Sequence, residues 1–370
     1  MRRRGHPLHA ICPYFAMFPA EFVRQQVEQH SRPGDWTYDP FCGRGTTVLE
    51  SLLMGRRAAG SDTNPVAFCV SRAKAEPPTI DDVQREVARL EEQYMESSPR
   101  RWERDRVVLP PFFKRAFHAA TLRELLFLRA TLNWRRNRTQ RFVTAMVLGS
   151  LHGEMDRSDA YFSNQMPRTI CLKPGYSLRY WRRHRLYPKR RRVFEMLGQK
   201  ARQRLDGLPA YEDGAVRLAD ARSASSRFGG LKGRVALLVT SPPYLNVTSY
   251  EEDQWLRIWF LGGESRPTSS RISRDDRHTV LEPYWQFLRE SWEGVAPLMS
   301  RTARLVIRLG GNGAVEQDMT SRLVDSLKSA FGTIRMVVPP RRTPLVRRQT
   351  MNFNPDSSGC RFEVDYVFSI

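Results

Sequence analysis

The sequence predicts an α/β fold in which helices cover a largely parallel sheet, and three observations carry that prediction. Residues 35–75 read as strand, glycine loop, helix, strand, helix, the alternation that builds parallel sheets. The same alternation resumes near Gly214. Within that second stretch Val235-Ala-Leu-Leu-Val239 is a continuously apolar run, the pattern of a strand buried on both faces.

Each element has a local reason. Trp36-Thr-Tyr38 is a short strand, and Thr46–Met54 is a helix with Leu49, Leu52 and Leu53 facing inward. Gly55 suits the left-handed position that closes such a helix. Arg57–Ser61 is a second strand ending at Asp62, after which Asn64 caps and Pro65 opens the next helix. Pro77-Pro78 breaks the pattern. Helices are then expected over Ile80–Met95, Arg115–Arg135 and Thr139–Met155, the last buried because Phe142, Val143, Met146, Val147 and Leu148 crowd it. Ser158–Pro174 reads as loop, and Tyr176–Arg192 interleaves aromatics with arginines before a helix that runs to Leu205. Strands over Ala215–Ala219 and Val235–Val239, a helix over Tyr284–Leu298, and strands over Arg304–Arg308 and Glu363–Phe368 complete the pattern. The division that follows is 1–80 as the first half of an α/β core, 81–210 as a basic helical insertion, and 211–370 as the second half.

Composition narrows the partners. The 370 residues carry a net charge of +21, with 26 Lys or Arg against 8 Asp or Glu between Arg100 and Asp206. That segment alone holds +18, leaving about +3 for the rest, so a polyanion-binding element is expected there. No run approaches the ~20 apolar residues of a membrane span. Met1-Arg-Arg-Arg-Gly is not followed by the apolar stretch of a secretion signal. The five cysteines (Cys12, Cys42, Cys69, Cys171, Cys360) are scattered and form no Cys-x-x-Cys pair. A reducing cytoplasm is the expected compartment.

Two loops carry the chemistry. Asp39-Pro-Phe-Cys-Gly-Arg-Gly-Thr-Thr47 leads from a strand through paired glycines into a helix, which suits a nucleotide-like ligand approached closely by backbone. Asp62, ending the next strand, is placed to accept hydrogen bonds from ribose hydroxyls. Thr240-Ser-Pro-Pro-Tyr244 follows the apolar strand at its carboxyl end, where open α/β sheets bind ligands. A Gly-x-Gly or a Pro-Pro alone is equally an ordinary turn. Their pairing in one chain is specific.

The stretch Asp39, Pro40, Phe41, Cys42, Gly43, Gly45, Thr46, Thr47 resembles the cofactor motif of the S-adenosylmethionine-dependent DNA amino-methyltransferases, and Ser241, Pro242, Pro243, Tyr244 resembles their catalytic motif. Cys12-Pro-Tyr-Phe-Ala-Met-Phe-Pro-Ala20 is similar to that family's first motif, whose Phe-Pro, here Phe18-Pro19, lies near the methionine part of the cofactor. Gly60–Pro65 matches the ribose motif through Asp62 and Asn64, and Leu218-Ala-Asp220-Ala221 is similar to the stretch whose acid contacts the adenine amino group. For Asp220 a second reading stays open, that it caps the following helix. The resemblance covers roughly His6–Leu261. It implies a Rossmann-like methyltransferase sheet, mostly parallel with an antiparallel last strand, and S-adenosyl-L-methionine as cofactor.

It also implies the reaction. An exocyclic amino nitrogen of a base is a poor nucleophile because its lone pair is delocalised into the ring. Accepting both amino protons favours a tetrahedral nitrogen and exposes the pair; Ser241 and the carbonyl of Pro242 are the expected acceptors. Pro242 and Pro243 stiffen the turn. Tyr244 is expected to stack on a base extruded from the duplex. Positioning and electrostatics then carry the rate without a covalent intermediate. A serine at the first position is most often seen in cytosine-N4 enzymes, whereas Asp or Asn is commoner in adenine-N6 enzymes. No Pro-Cys occurs, which sets carbon-5 cytosine enzymes aside.

The segment from Leu148 to Tyr176 resembles an insertion in a bacterial group of these enzymes. Arg179, Arg182, Arg183, Arg185, Arg190, Arg191 and Arg192 are the expected phosphate contacts, with Arg341 and Arg342 holding the opposite strand of double-stranded DNA. Tyr180 and Trp181 support a groove or stack on a displaced base, unless Trp181 belongs to the core. His152 reads as a core histidine. Asp156 and Asp159 imply no metal. A restriction or defence nuclease is a possible partner. The leading expectation is a cytosine-N4 DNA methyltransferase, and three other readings remain: an adenine-N6 DNA methyltransferase with the same mechanism; an RNA amino-methyltransferase, which would usually carry Asp-Pro-Pro-Tyr and an RNA-binding domain; and a non-catalytic DNA-binding subunit, which would show degenerate motifs.

Overall fold

The computed structural model describes residues 5–14, 18–153, 160–165, 173–245, 250–267, 280–311, 316–345 and 360–370. They form two compact units. The sheet unit gathers Tyr14–Glu76, Pro209–Ser249 and Ser270–Ile370; the helical unit gathers Met1–Pro13, Pro77–Leu208 and Tyr250–Ser269.

The sheet contains β1 (Trp36–Asp39), β2 (Arg57–Asp62), β3 (Ala215–Leu218), β4 (Val235–Thr240), β5 (Met299–Gly311), β6 (Arg335–Pro344) and β7 (Phe362–Ser369) in the order β3-β2-β1-β4-β5-β7-β6. Neighbours from β3 to β5 pair parallel, and β7 runs antiparallel between β5 and β6. This is the Rossmann-like sheet with an antiparallel last strand that the motifs implied. β4 shows why its sequence is apolar throughout: Val235 and Leu238 face one core layer, Leu237 and Val239 the other.

The helices are α1 (Ala20–His30), α2 (Thr46–Leu53), α3 (Pro65–Ala75), α4 (Ile80–Glu96), α5 (Pro99–Val108), α6 (Pro111–Ala116), α7 (Ala119–Thr131), α8 (Arg138–Leu148), α9 (Pro174–Arg183), α10 (Val193–Leu205), α11 (Ala224–Arg227), α12 (Tyr250–Phe260), α13 (Leu281–Val295) and α14 (Glu316–Phe331). On one face of the sheet Val23 and Val27 of α1 pack on Leu237, Val239 and Val306. On the other, Leu288, Trp292 and Val295 of α13 and Leu323 and Leu327 of α14 pack on Leu238, Leu305 and Ile307. Burying this two-sided apolar surface is the main stabilising term, at roughly 25 cal/mol per Å².

Three expectations change in detail. β6 was not anticipated, because Arg335-Met-Val-Val-Pro-Pro-Arg-Arg-Thr-Pro344 has neither alternation nor an apolar run; it is an exposed edge strand whose register shifts around its two adjacent prolines. The helix expected over Arg115–Arg135 is broken at Phe117–His118, where His118 Nδ1 accepts from Ala120 N at 3.2 Å and caps α7. The helix expected to reach Met155 stops at Leu148. A Cβ on Gly149 would lie 1.9 Å from the Ile11 carbonyl oxygen, so the chain turns away there against backbone of the same unit. Asp156, Asp159 and Cys171 lie outside the described residues. Among the described residues, no helix is long and apolar enough to cross a membrane.

Candidate active site

The order of strands along the sheet reverses between β1 and β4, and parallel α/β sheets bind ligands outside their carboxyl ends at such a point. Both sequence-singled loops leave the sheet there. Their roots are joined directly: Thr240 Oγ1 donates to Asp39 Oδ1 at 2.6 Å, and Thr47 Oγ1 donates to the Val239 carbonyl at 3.2 Å. Residues about two hundred positions apart in sequence thus meet at one edge of the sheet.

The glycine loop is held in a shape only its own residues permit. Gly43 and Gly45 have φ of 48° and 72°, in the left-handed region. A Cβ on Gly45 would lie 2.7 Å from Ser71 Oγ and 3.0 Å from Ser71 Cα. The reason is that α3 clamps the loop: Ser71 Oγ donates to the Gly43 carbonyl and the buried Lys74 Nζ to the Arg44 carbonyl, both at 2.6 Å. Sequence reasoning passed over Ser71 and Lys74. A lysine amid Ala, Cys and Val on a buried helix was the available signal. Gly60 is equally constrained, since a Cβ there would meet Val48 Cγ2 at 2.9 Å and Cys42 Cβ at 3.0 Å.

The acids lie at or just beyond strand ends. Asp62 accepts from Gly43 N and Asn64 N, each at 2.9 Å, which fixes the loop to the end of β2. Asn64 caps α3 by accepting from Val66 N at 2.8 Å, and its amide donates to Tyr14 Oη at 3.3 Å. Burial pushes the Asp39 and Asp62 carboxyls up to about 6. For Asp39 the negative charge of Asp62 adds to the rise, while the Thr240 and Thr47 hydroxyls and the Phe41 N–H oppose it. Asp220, at the end of β3, accepts from Arg222 N at 2.9 Å and pairs with the Arg222 guanidinium, so the capping geometry is present. Ala221 is buried behind it.

The other cofactor-motif residues line or support this edge. Pro40, Cys42, Thr46 and Thr47 are buried, and Phe41 packs edge-on against Phe287 with centroids 5.9 Å apart. Phe18 stacks on Phe22 at 5.5 Å, and Pro19 leads directly into α1.

The ends of β1 and β2 therefore each present an acid, in a chain whose net charge is +21, while the Asp220 carboxylate beyond β3 is already paired with Arg222. Carboxylates at this edge repel a phosphate-bearing nucleotide. They suit a nucleoside carrying a positive sulfonium and an ammonium group, so the residues present fit S-adenosyl-L-methionine. Asp62 and Asn64 would hold the ribose side, and the uncapped start of α2 would face the methionine carboxylate.

The catalytic turn holds one surprise. Ser241 and Pro243 are half-buried and Pro242 is buried. Tyr244, expected to offer its ring to a base, is 8% exposed and folded inward. Its ring lies over Gly310 of β5, where a Cβ would come within 2.3 Å, and its hydroxyl donates to Glu363 Oε1 of β7 at 3.1 Å. Burial and the Glu363 charge push the Tyr244 hydroxyl well above its ordinary range, so it stays protonated. Glu363 Oε2 is 3.2 Å from Arg308 Nη1, while Asp365 takes Arg308 Nε and Nη2 at 2.6 and 3.0 Å. The Arg308 guanidinium lies 4.0 Å from the Phe22 ring centroid and 5.5 Å from that of Phe18. Burial works against its charge, and Asp365 and Glu363 outweigh it. None of Arg308, Glu363 or Asp365 was singled out from sequence as a site residue.

The basic residues divide by environment. In the helical unit Arg179, Arg182, Arg183, Arg185 and Arg192 are exposed on and after α9. Arg190 is not a free cation, because its guanidinium binds Glu124 and Thr121 of α7; for this residue a phosphate contact gives way to a structural pairing. The Arg191 backbone is pinned by Thr121 at 2.8 and 2.9 Å. Trp181 is buried and donates to the Gln165 carbonyl at 3.2 Å, which places it in the core. The His152 ring is pushed down to about 3 by burial and by Arg257, which keeps it neutral. In the sheet unit Arg341 and Arg342 are exposed on the edge strand β6, with Arg342 over Phe362 at 4.8 Å.

Residues 2–71 match the family model described as DNA methylase. Type II methyltransferase M.MjaII of Methanocaldococcus jannaschii is 29% identical over 84 residues, 23% of this chain and 16% of that protein. Type II methyltransferase M.Cfr9I of Citrobacter freundii is 33% identical over 69 residues, 18% of this chain and 23% of that one. Type II methyltransferase M.MvaI of Kocuria varians is 37% identical over 86 residues, 22% and 19% of the two chains. The chain spans less than a quarter of the length of each of these relatives. Among solved structures, the rRNA methyltransferase aviRa from Streptomyces viridochromogenes aligns with a TM-score of 0.38 at 10% identity, covering 100% of this chain and 94% of that one. Over residues 2–71, the stretch that carries the cofactor loop, the chain is similar to DNA methylases, as the likeness read from its motifs implied.

Proposed function

We propose that this protein is an S-adenosylmethionine-dependent DNA methyltransferase that methylates the exocyclic amino group of a base turned out of the duplex, with cytosine N4 as the target. The observation that carries the reading is the junction of the two loops at adjacent strand ends, sealed by the 2.6 Å bond from Thr240 to Asp39. When bound, the cofactor supplies an electrophilic methyl group on sulfur. The chain's own residues do the rest. Asp39, Asp62 and the glycine loop bind and orient the donor, and their negative charge complements its cationic groups. Ser241 and the Pro242 carbonyl accept the two amino protons, which aims the nitrogen lone pair at the methyl carbon. The exposed arginines of α9 and of β6 supply phosphate contacts.

The serine at position 241 favours cytosine over adenine. The curated relatives are type II methyltransferases, which supports a role beside a restriction or defence nuclease. The test is to incubate the protein with methyl-labelled cofactor and duplex DNA, then digest the product to nucleosides for mass spectrometry. N4-methyldeoxycytidine is expected, and Ser241→Ala should remove it. Label found only in N6-methyldeoxyadenosine overturns the choice of base, and an unlabelled product overturns the enzyme reading.

A further inference from the structure

Two hydroxyl groups and a carboxylate form a chain in the sheet unit: Ser241, Tyr244, Glu363. Its polarity is fixed by chemistry. A carboxylate has no proton to give, so across the 3.1 Å contact Tyr244 must donate to Glu363. Having given its proton away, the Tyr244 oxygen acts toward Ser241 as an acceptor, and Ser241 Oγ lies 3.1 Å from it. The other partner of Ser241, the Arg308 carbonyl at 3.2 Å, is also an acceptor only. Among the described residues, both partners of Ser241 Oγ therefore claim its single proton. What remains for the pocket is lone pairs.

We infer that Glu363, acting through Tyr244, is a positioning residue that sets the hydrogen-bond polarity of the catalytic turn, so that Ser241 meets the substrate as an acceptor alone. This rests on the reading above, in which the turn grips an exocyclic amine. An acceptor-only Ser241 complements an amino group and opposes a ring carbonyl, which needs a donor. The inference also explains the inward Tyr244: its ring is seated over Gly310 to bring its hydroxyl to β7, not left free at the mouth of the pocket. Arg308 completes the device by pairing Nη1 with Glu363 Oε2 at 3.2 Å, which orients the carboxylate with its other oxygen toward Tyr244. Chains that end on a charged acceptor polarise each hydroxyl along them, and Ser241 becomes a stronger acceptor than an isolated serine.

Glu363→Gln tests it with little change of shape. Arg308 offers donors only, so the new amide turns its oxygen to Arg308 and its NH₂ to Tyr244. Tyr244 then donates to Ser241 and occupies one of the lone pairs meant for the amine. Single-turnover methyl transfer should fall about tenfold or more, the size of a lost hydrogen bond to a charged group. Cofactor affinity by calorimetry and DNA affinity should stay at wild-type values. Tyr244→Phe should give a similar loss, and the double variant should lose no more than the worse single one, because both act on one chain. Transfer by Glu363→Gln at the wild-type rate overturns the inference, as do multiplicative losses in the double variant or a loss traced to weaker cofactor binding. If the wild type is active and Ser241→Ala is not, the reading of the turn stands whatever Glu363→Gln does. If the wild type transfers nothing, both fall together.

Discussion

Replacing Asp39 by asparagine separates what this carboxylate does for binding from what it does to the fold. The side chain is 2% exposed, and burial lifts its carboxyl from 3.8 to about 6. A folded-state value above the unfolded one means that the native protein holds a proton through a window in which the unfolded chain has lost it. Stability therefore falls as pH rises from about 4 to about 6 and is level above that window. The rise is roughly 2 units, and at about 1.4 kcal/mol per unit the ionised Asp39 costs about 3 kcal/mol at neutral pH. Asparagine keeps an oxygen for the Thr240 hydroxyl and the Phe41 N–H but carries no charge. Without ligand, Asp39→Asn should be more stable than the wild type by up to about 3 kcal/mol at pH 8 and nearly equal to it at pH 4. Urea unfolding across that range measures the difference. Cofactor affinity should move the other way, because an acid under a cationic ligand is lost. A stability difference that does not change with pH refutes the reasoning, since it would mean that Asp39 titrates alike in both states.

Three further outcomes can be measured. Gly45→Ala forces a left-handed residue and a contact with Ser71 backbone, which should destabilise the protein by roughly 3 kcal/mol in thermal or chemical unfolding and weaken cofactor binding. Replacing Arg179, Arg182 and Arg183 by alanine should flatten the salt dependence of DNA affinity by up to about three in log–log slope. Arg190→Ala should leave that slope alone and lower stability instead; a slope lowered by about one in Arg190→Ala would show that Arg190 contacts phosphate after all.

What the sequence disclosed, and what it concealed, follows the range of the interactions. The glycine loop, the Asn64 cap and the acids at strand ends were legible because a tight turn, a cap or a left-handed residue demands particular residue types within a few positions. The parallel sheet was legible because burial on both faces leaves an unbroken apolar run in Val235–Val239. Glu363 and Arg308 were not, for their place beside Tyr244 depends on which strands become neighbours, and Glu363 lies 119 positions from Tyr244. The inward Tyr244 had no local signal either, since a tyrosine after Pro-Pro reads alike whether it packs on Gly310 or faces a base. β6 escaped notice because an edge strand needs no inward-facing row of apolar residues. The break at His118 was missed because histidine is an unusual cap among the Ser, Thr, Asp and Asn that mark helix starts.

β7 follows β6 in the chain yet is seated between β5 and β6. β7 therefore joins β6 to the rest of the sheet, and its pairing with β5 is a contact between residues far apart in sequence, of the kind that forms slowly. That same strand delivers Glu363 and Asp365 to Arg308. The strand that completes the sheet is thus also the one that neutralises the Arg308 guanidinium behind the turn.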